Sequence, residues 1–278
     1  MKKLKLTASF FLVIILVSLA AAPAIALDAY QRNLLLIGVM LISPIIIISY
    51  DKFYKSDIWL IFFMLSIVLL PLANHPESIR WSTVLYTLMF GLTYLAYKKL
   101  LNVGSFTIDH YKKLIKYLIY AYFIVLVIQQ FCVLTGLPIF NVSNYHPEYP
   151  WKLNSLASEP SHSARIVALL MYCYIIVREL IEKRAYSLDL DFNDDRLIWL
   201  AFLWTMLTMG SATAFLFITM VLLKFIKFIN LAPLFIIFII TIFLVDVIGI
   251  TAFERTYKTV IATLTLDPAK IFEADGSA

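Results

Sequence analysis

The stretch YLIYAYFIVLVIQQFCVL, running from Tyr117 to Leu134, contains 18 residues and no charge. An uncharged apolar run of this length is the signature of a helix long enough to cross the hydrocarbon layer of a bilayer. Similar runs precede and follow it. They cover Leu6–Leu27, Asn33–Tyr50, Ile58–Ala73, Trp81–Tyr97, Ile166–Ile181, Leu197–Leu223 and Leu234–Ile250. Short polar connections such as Asp51–Asp57 and Asn74–Arg80 separate them.

Composition agrees with this reading. Of 278 residues, 62% are hydrophobic and 15% charged, against the ~25% charged residues of an ordinary soluble domain. A water-facing surface needs more polarity than that, so the surplus apolar side chains are expected to face lipid. The expected fold is all-α: a polytopic transmembrane helical bundle with about nine spans, its amino terminus in the cytoplasm, and residues 1–278 forming one integral membrane domain. The net charge of +5 comes without a dense basic patch interleaved with aromatics, so nucleic acid is not an expected partner. Cys132 and Cys173 both lie in apolar runs with no metal-binding spacing, so neither a disulfide nor a metal or other cofactor is expected.

Two segments have alternative readings. Lys2, Lys3 and Lys5 before the first apolar run suit either a cleaved signal peptide or a retained anchor. The run exceeds the usual 7–15 residue signal core, which favours the anchor. Leu197–Leu223 carries Met209-Gly210-Ser211-Ala212-Thr213 at its middle and reads as one tilted helix, giving eight spans, or as two short helices turning there. The positive-inside rule puts most of the lysines and arginines in the cytoplasm in both versions and leaves that choice open.

Two connections stand out. Asn102–Lys116 is basic and reads as an amphipathic interfacial segment on anionic headgroups. The outer loop, 135–165, concentrates Asn141, Asn144, His146, Glu148, Trp151, Lys152, Glu159, His162 and Arg165. Within it, Ser158-Glu159-Pro160-Ser161-His162-Ser163-Ala164-Arg165 is the most informative string. Pro160 suits the first turn of a helix, which puts Glu159 at its cap. His162 lies three residues from both Glu159 and Arg165, so a carboxylate, an imidazole and a guanidinium can converge at the outer membrane surface. The plainer alternative is a capped helix with a local ion pair. Arg80, Arg165 and, in the hairpin version, Arg255 sit at the outer headgroup level, where arginine forks suit a pyrophosphate or simply anchor helix ends.

Ser158-Glu159-Pro160-Ser161 leading into an apolar span, followed after a cytoplasmic loop by Leu207-Thr208-Met209-Gly210-Ser211-Ala212-Thr213-Ala214, resembles the O-antigen polymerase and O-antigen ligase superfamily of bacterial membrane proteins. In that family the second motif reads Ser-Arg-Thr-Gly at an outer turn between two helices. This chain keeps Ser211 and Thr213 but has Ala212 between them, without the arginine. Asp275-Gly276-Ser277 is similar to the start of a further family motif, so residues 251–278 read as the first part of a second outer loop in a longer protein.

The resemblance implies a glycosyltransferase at the outer face of the bacterial inner membrane. It would polymerise or ligate undecaprenyl-pyrophosphate-linked oligosaccharide repeats for O-antigen, capsule or exopolysaccharide. The implied partners are that lipid-linked glycan, the bilayer and a chain-length regulator protein. The motif match itself carries over only Glu159, Pro160 and Ser161; on sidedness and charge, Glu159 or His162 would serve as base and Arg80, Arg165 and Arg255 as pyrophosphate ligands, with Ser158, Ser211 and Thr213 as further motif residues. The rival readings are a flippase for the same lipid-linked sugars, with Asp246, Gln129 and Gln130 as its intramembrane polar groups, and a non-catalytic membrane subunit. Asp189-Leu190-Asp191 reads as a solvated connection.

Overall fold

The computed structural model describes residues 2–21, 34–50, 54–74, 77, 81–141, 150–209 and 211–225. All regular structure among them is helical: α1 (Lys2–Ala21), α2 (Leu34–Ser49), α3 (Lys55–Asn74), α4 (Trp81–Asn102), α5 (Ile108–Thr135), α6 (Pro160–Glu182), α7 (Leu188–Thr208) and α8 (Ala212–Leu223). The chain divides into two compact units, one holding α1 to α4 and ending at His110, the other taking in α5 from Tyr111 onward.

In the first unit α4 packs against α1, α2 and α3, and α1 packs against α2. Polar anchors hold these helices at one end. Lys98 near the end of α4 donates to Asp57 at the start of α3 at 2.5 Å. Lys99, almost fully buried, donates to the carbonyls of Ile47 and Tyr50. It thereby satisfies acceptors that the end of α2 leaves open. The Ser9 and Ser105 hydroxyls meet at 2.6 Å. Midway, Ser43 donates to Thr93 across the α2–α4 contact. Gly91 brings α3 and α4 close, since a Cβ there would lie 2.1 Å from Met64 Sδ.

Local chemistry explains the boundaries of α5. The Thr107 N–H donates to His110 Nδ1 while the His110 N–H donates to Thr107 Oγ1, a reciprocal cap in which histidine takes the place usually held by glutamate. At the other end Gly136 adopts φ +70° and the Leu137 N–H reaches back to the Cys132 carbonyl. That closure, with Pro138 following, ends the helix. Asn102–Lys116 is therefore not a separate interfacial segment. It is a short turn at Gly104 (φ +73°) followed by the first turns of a continuous 28-residue helix.

In the second unit α6 packs on α7 and α8, and α7 on α8. The run Leu197–Leu223 is two helices, since α7 ends at Thr208 and α8 begins at Ala212, with Ser211 extended (φ −115°, ψ 126°) as the cap of α8. Lys224, just past α8, reaches Glu179 near the end of α6 at 2.6 Å. Phe225 packs its ring on Trp199, in the first half of α7. So α6 and α8 run in the same direction and α7 runs against both.

Candidate functional site

The start of α6 matches the sequence reading in its backbone. Glu159 is the cap residue with extended φ −141° and ψ 152°, Pro160 opens the helix, and the first helical bond runs from the Ser163 N–H to the Glu159 carbonyl. The side chains arrange differently from the expected cluster. Ser158 Oγ pairs with His162 Nδ1 at 3.1 Å, and Ser161 Oγ donates to Glu159 Oε2 at 3.4 Å. Glu159, His162 and Arg165 are all exposed. No ion pair among the described residues joins them, and Glu159 makes no side-chain cap. Arg165 has no hydrogen-bond or ion-pair partner among the described residues. Among the described residues the alternative of a capped helix with a local ion pair is absent as well. What exists is a helix end whose Ser161 and His162 N–H groups precede the first helical hydrogen bond, with a serine–histidine pair and a free guanidinium around it.

Ser211 is buried and its hydroxyl meets that of Thr213 at 2.6 Å. Counting back from the Glu179–Lys224 pair at 1.5 Å per residue, Ser211 lies at the axial level of about residue 166. The two motif strings therefore share one end of the second unit. Arg80 and Arg255, together with His75, His146 and Asp246, lie outside the described residues.

Beneath α6 the connection between α5 and α6 is built inward. Leu153 and Ser155 are fully buried and Asn154 and Ala157 nearly so. Buried main chain needs partners, and Gln129 supplies several. Its Nε2 donates to the carbonyls of Phe140 (3.0 Å) and Ser155 (3.4 Å), and its Oε1 accepts from the Ser155 N–H at 2.9 Å. Asn154 Nδ2 donates to the carbonyls of Asn141 and Ala157. Ser155 Oγ donates to the Tyr122 carbonyl at 2.6 Å, and Ser163 Oγ donates to that of Asn154. Ser155 sits at φ +51° and Asn141 at φ +57°, conformations uncommon outside glycine. The adjacent Gln130 donates to Thr208 at 2.7 Å and accepts from the Trp204 indole at 3.1 Å, linking α5 to α7.

At the opposite end of the unit lies a polar cluster that sequence reading missed. Arg178, on α6, donates to Asp195 at 2.5 Å and pairs with Glu182 on the next turn. The Tyr174 and Tyr186 hydroxyls donate to Asp195 at 2.7 and 3.0 Å, and the Trp199 indole donates to Tyr186. Asp191 accepts from Arg184 and from the Ser187 N–H that precedes α7. The side chains of Arg178, Asp195 and Asp191 are 10%, 3% and 1% exposed. Hydrogen bonding by Arg184, outweighing burial, holds the Asp191 carboxyl below the usual range. The solvated connection expected around Asp189–Asp191 is corrected: Asp191 is a buried element of α7, because its carboxylate caps that helix and neutralises Arg184. The signal was present as arginine inside an apolar run with carboxylates spaced four apart.

Among the described residues no cluster of His, Cys, Asp or Glu could hold a metal ion. No protein-family model, no curated protein and no solved structure matches this chain.

Proposed function

We propose that the chain is a multi-pass protein of the bacterial inner membrane, with about nine spans, that polymerises or ligates undecaprenyl-pyrophosphate-linked oligosaccharides at the outer face. α5 is long and apolar enough by itself to cross a bilayer, and Thr7–Ala21, Asp57–Leu70 and Thr213–Leu223 are shorter apolar helices. Further support comes from apolar residues left uncovered at helical spacing. On α7, Leu197, Leu200, Trp204 and Leu207 form one stripe, each about half exposed or more. In water that surface would be unfavourable; against acyl chains it costs nothing.

The observation that carries the activity is the start of α6, where Arg165 has no partner among the described residues and lies beside first-turn N–H groups that precede the first helical hydrogen bond. Such a helix end attracts phosphate oxygens. In the reaction, a sugar hydroxyl of one lipid-linked repeat attacks the anomeric carbon of another. The bond from that carbon to the pyrophosphate breaks, and undecaprenyl pyrophosphate leaves with the electron pair. Arg165 stabilises the departing charge, and Glu159 or His162 takes the hydroxyl proton. Gln129 and Gln130, which the flippase reading needs as a polar path, are spent on structural hydrogen bonds.

The test is glycan extension by purified protein given lipid-linked repeats in detergent, where no bilayer exists to cross. Arg165→Ala and Glu159→Gln should each lower it on the order of 100-fold or more, with the protein still inserted. Normal product length in both variants would overturn the assignment, and no lengthening by the wild type would favour the flippase.

A further inference from the structure

The first turns of α5 extend past its apolar portion. From Tyr117 to Thr135 the helix is uncharged, a span of about 28 Å at 1.5 Å per residue that matches the ~30 Å hydrocarbon layer. The nine residues before it, Ile108–Lys116, then project about 13 Å beyond that layer. They carry Lys112, Lys113 and Lys116.

These lysines are not scattered. At 100° per residue, Lys112, Lys116, Tyr120, Lys113 and Tyr117 fall within an arc of about 140°. Ile115, Leu118, Ile119 and Tyr122, all buried, occupy a separate arc of about 100°. Within the stripe Lys113 and Tyr117 are exposed, and Lys112, Lys116 and Tyr120 are half-buried. Lys112 and Lys113 have no ion pair or hydrogen bond among the described residues, in contrast to Lys98, which is held by Asp57. Lys116 Nζ lies over the Tyr120 ring at 5.8 Å, and Tyr117 is 67% exposed. Asp109 is the one carboxylate in these turns. Ammonium groups followed one turn deeper by tyrosines, Tyr117 exposed and Tyr120 half-buried, reproduce the order of chemistries met on passing from headgroup phosphates to acyl chains.

We infer that Lys112, Lys113 and Lys116, with Tyr117 and Tyr120 beneath them, form a docking face for the phosphodiester headgroups of anionic lipids in the leaflet at the amino-terminal end of α5. This rests on the membrane reading above. The occupant is a lipid because the tyrosine belt lies at the boundary of the apolar span, where a soluble anion would meet only half the site.

The experiment uses the full chain, exchanged into mixed micelles holding equal phosphatidylglycerol and phosphatidylcholine, with retained lipid counted by native mass spectrometry. A lysine near an anionic surface is worth roughly a fivefold preference. Replacing all three, as Lys112→Gln, Lys113→Gln and Lys116→Gln together, should reduce the phosphatidylglycerol preference on the order of tenfold or more. Arginine at the same positions should retain it. In the wild type the preference should decline as salt rises. An unchanged preference in the glutamine variant, or a wild-type preference indifferent to salt, overturns the inference even where the variant inserts poorly. Alkaline carbonate washing of membranes separates the two levels. A chain released by the wash overturns the membrane reading and this inference together, whereas a chain that stays but shows no lipid preference overturns the inference alone.

Discussion

Gln129 shows how much one residue can hold. It sits in an apolar run and, read there, looks like an intramembrane polar group waiting for cargo. In the folded chain it is fully buried and bonds the main chain of Phe140 and Ser155. Gln129→Leu keeps the approximate volume but strands the Ser155 N–H and removes a donor from two carbonyls. Each stranded buried group costs roughly 1–3 kcal/mol, so the variant should unfold at clearly lower temperature in detergent. Gln130→Leu should be milder by comparison, because Thr208 keeps its bond to the Trp204 carbonyl and Trp204 is partly exposed. Equal melting temperatures for the two variants would refute the assignment. Arg178 follows the same logic with charge. Arg178→Met leaves Asp195 buried without its cation, a loss on the order of 3–5 kcal/mol, readable as a fall in melting temperature and in yield of folded protein. Apart from Glu182, one turn from Arg178, neither residue's partners were legible in the sequence. A glutamine or arginine within an apolar run announces that something must satisfy it, but the partners lie 26 and 17 positions away and only the packed helices bring them together.

At the scale of the element, boundaries were the most legible feature. Pro160 marks the start of α6 as expected, and Ser211 caps a helix at the point where the long run Leu197–Leu223 admitted a break. The sequence left that break open because charge counts came out the same way for both versions; the Lys224–Glu179 contact is what distinguishes them, and it is tertiary. Two helix starts carry a carboxylate that doubles as cap and ion-pair partner. Asp57 accepts the Tyr54 N–H before α3, and Asp191 accepts the Ser187 N–H before α7. Burial pushes the Asp57 carboxyl up, but the bonds from Lys98 and Tyr54 outweigh it and leave it below its ordinary value. Asp191 is lowered too. A carboxylate with a depressed folded pKa contributes stability in full above its unfolded value of about 3.9 and loses that contribution as pH falls through the folded one. Stability from these two caps should therefore be flat from pH 5 to 8 and decline below about pH 4. In Asp57→Asn and Asp191→Asn the acid-side decline should shrink, as followed by helical circular dichroism. A decline that begins near pH 6, or one unchanged in both variants, would argue against these carboxylates as its source.

At the scale of the whole molecule, alternation of direction is the property that ties fold to proposed activity. In the first unit the starts of α1 and α3 meet the ends of α2 and α4, where Lys98 and Lys99 are held. In the second, the end of α6, the start of α7 and the end of α8 share the cluster of Arg178, Arg184 and Lys224. Within each unit these ion-paired basic residues thus gather where helices of opposite sense meet, the pattern that the positive-inside rule asks of short cytoplasmic connections in a membrane protein. If the chain spans a membrane, parity along it then assigns the connection between α5 and α6 to one side and that between α6 and α7 to the other. Single cysteines at Ser143 and at Ser187, in a background with Cys132→Ala and Cys173→Ala, put this to measurement. A membrane-impermeant thiol reagent applied to intact spheroplasts should label the Ser143 position and spare the Ser187 position, and opening the membrane should expose both. Labelling of both in intact cells would break the alternation. Labelling of the Ser187 position alone would invert it, moving the start of α6, with Glu159, His162 and Arg165, to the cytoplasmic face. There it could not meet lipid-linked repeats delivered to the outer leaflet, and the proposed polymerisation would fall with the topology even if every helix were as described.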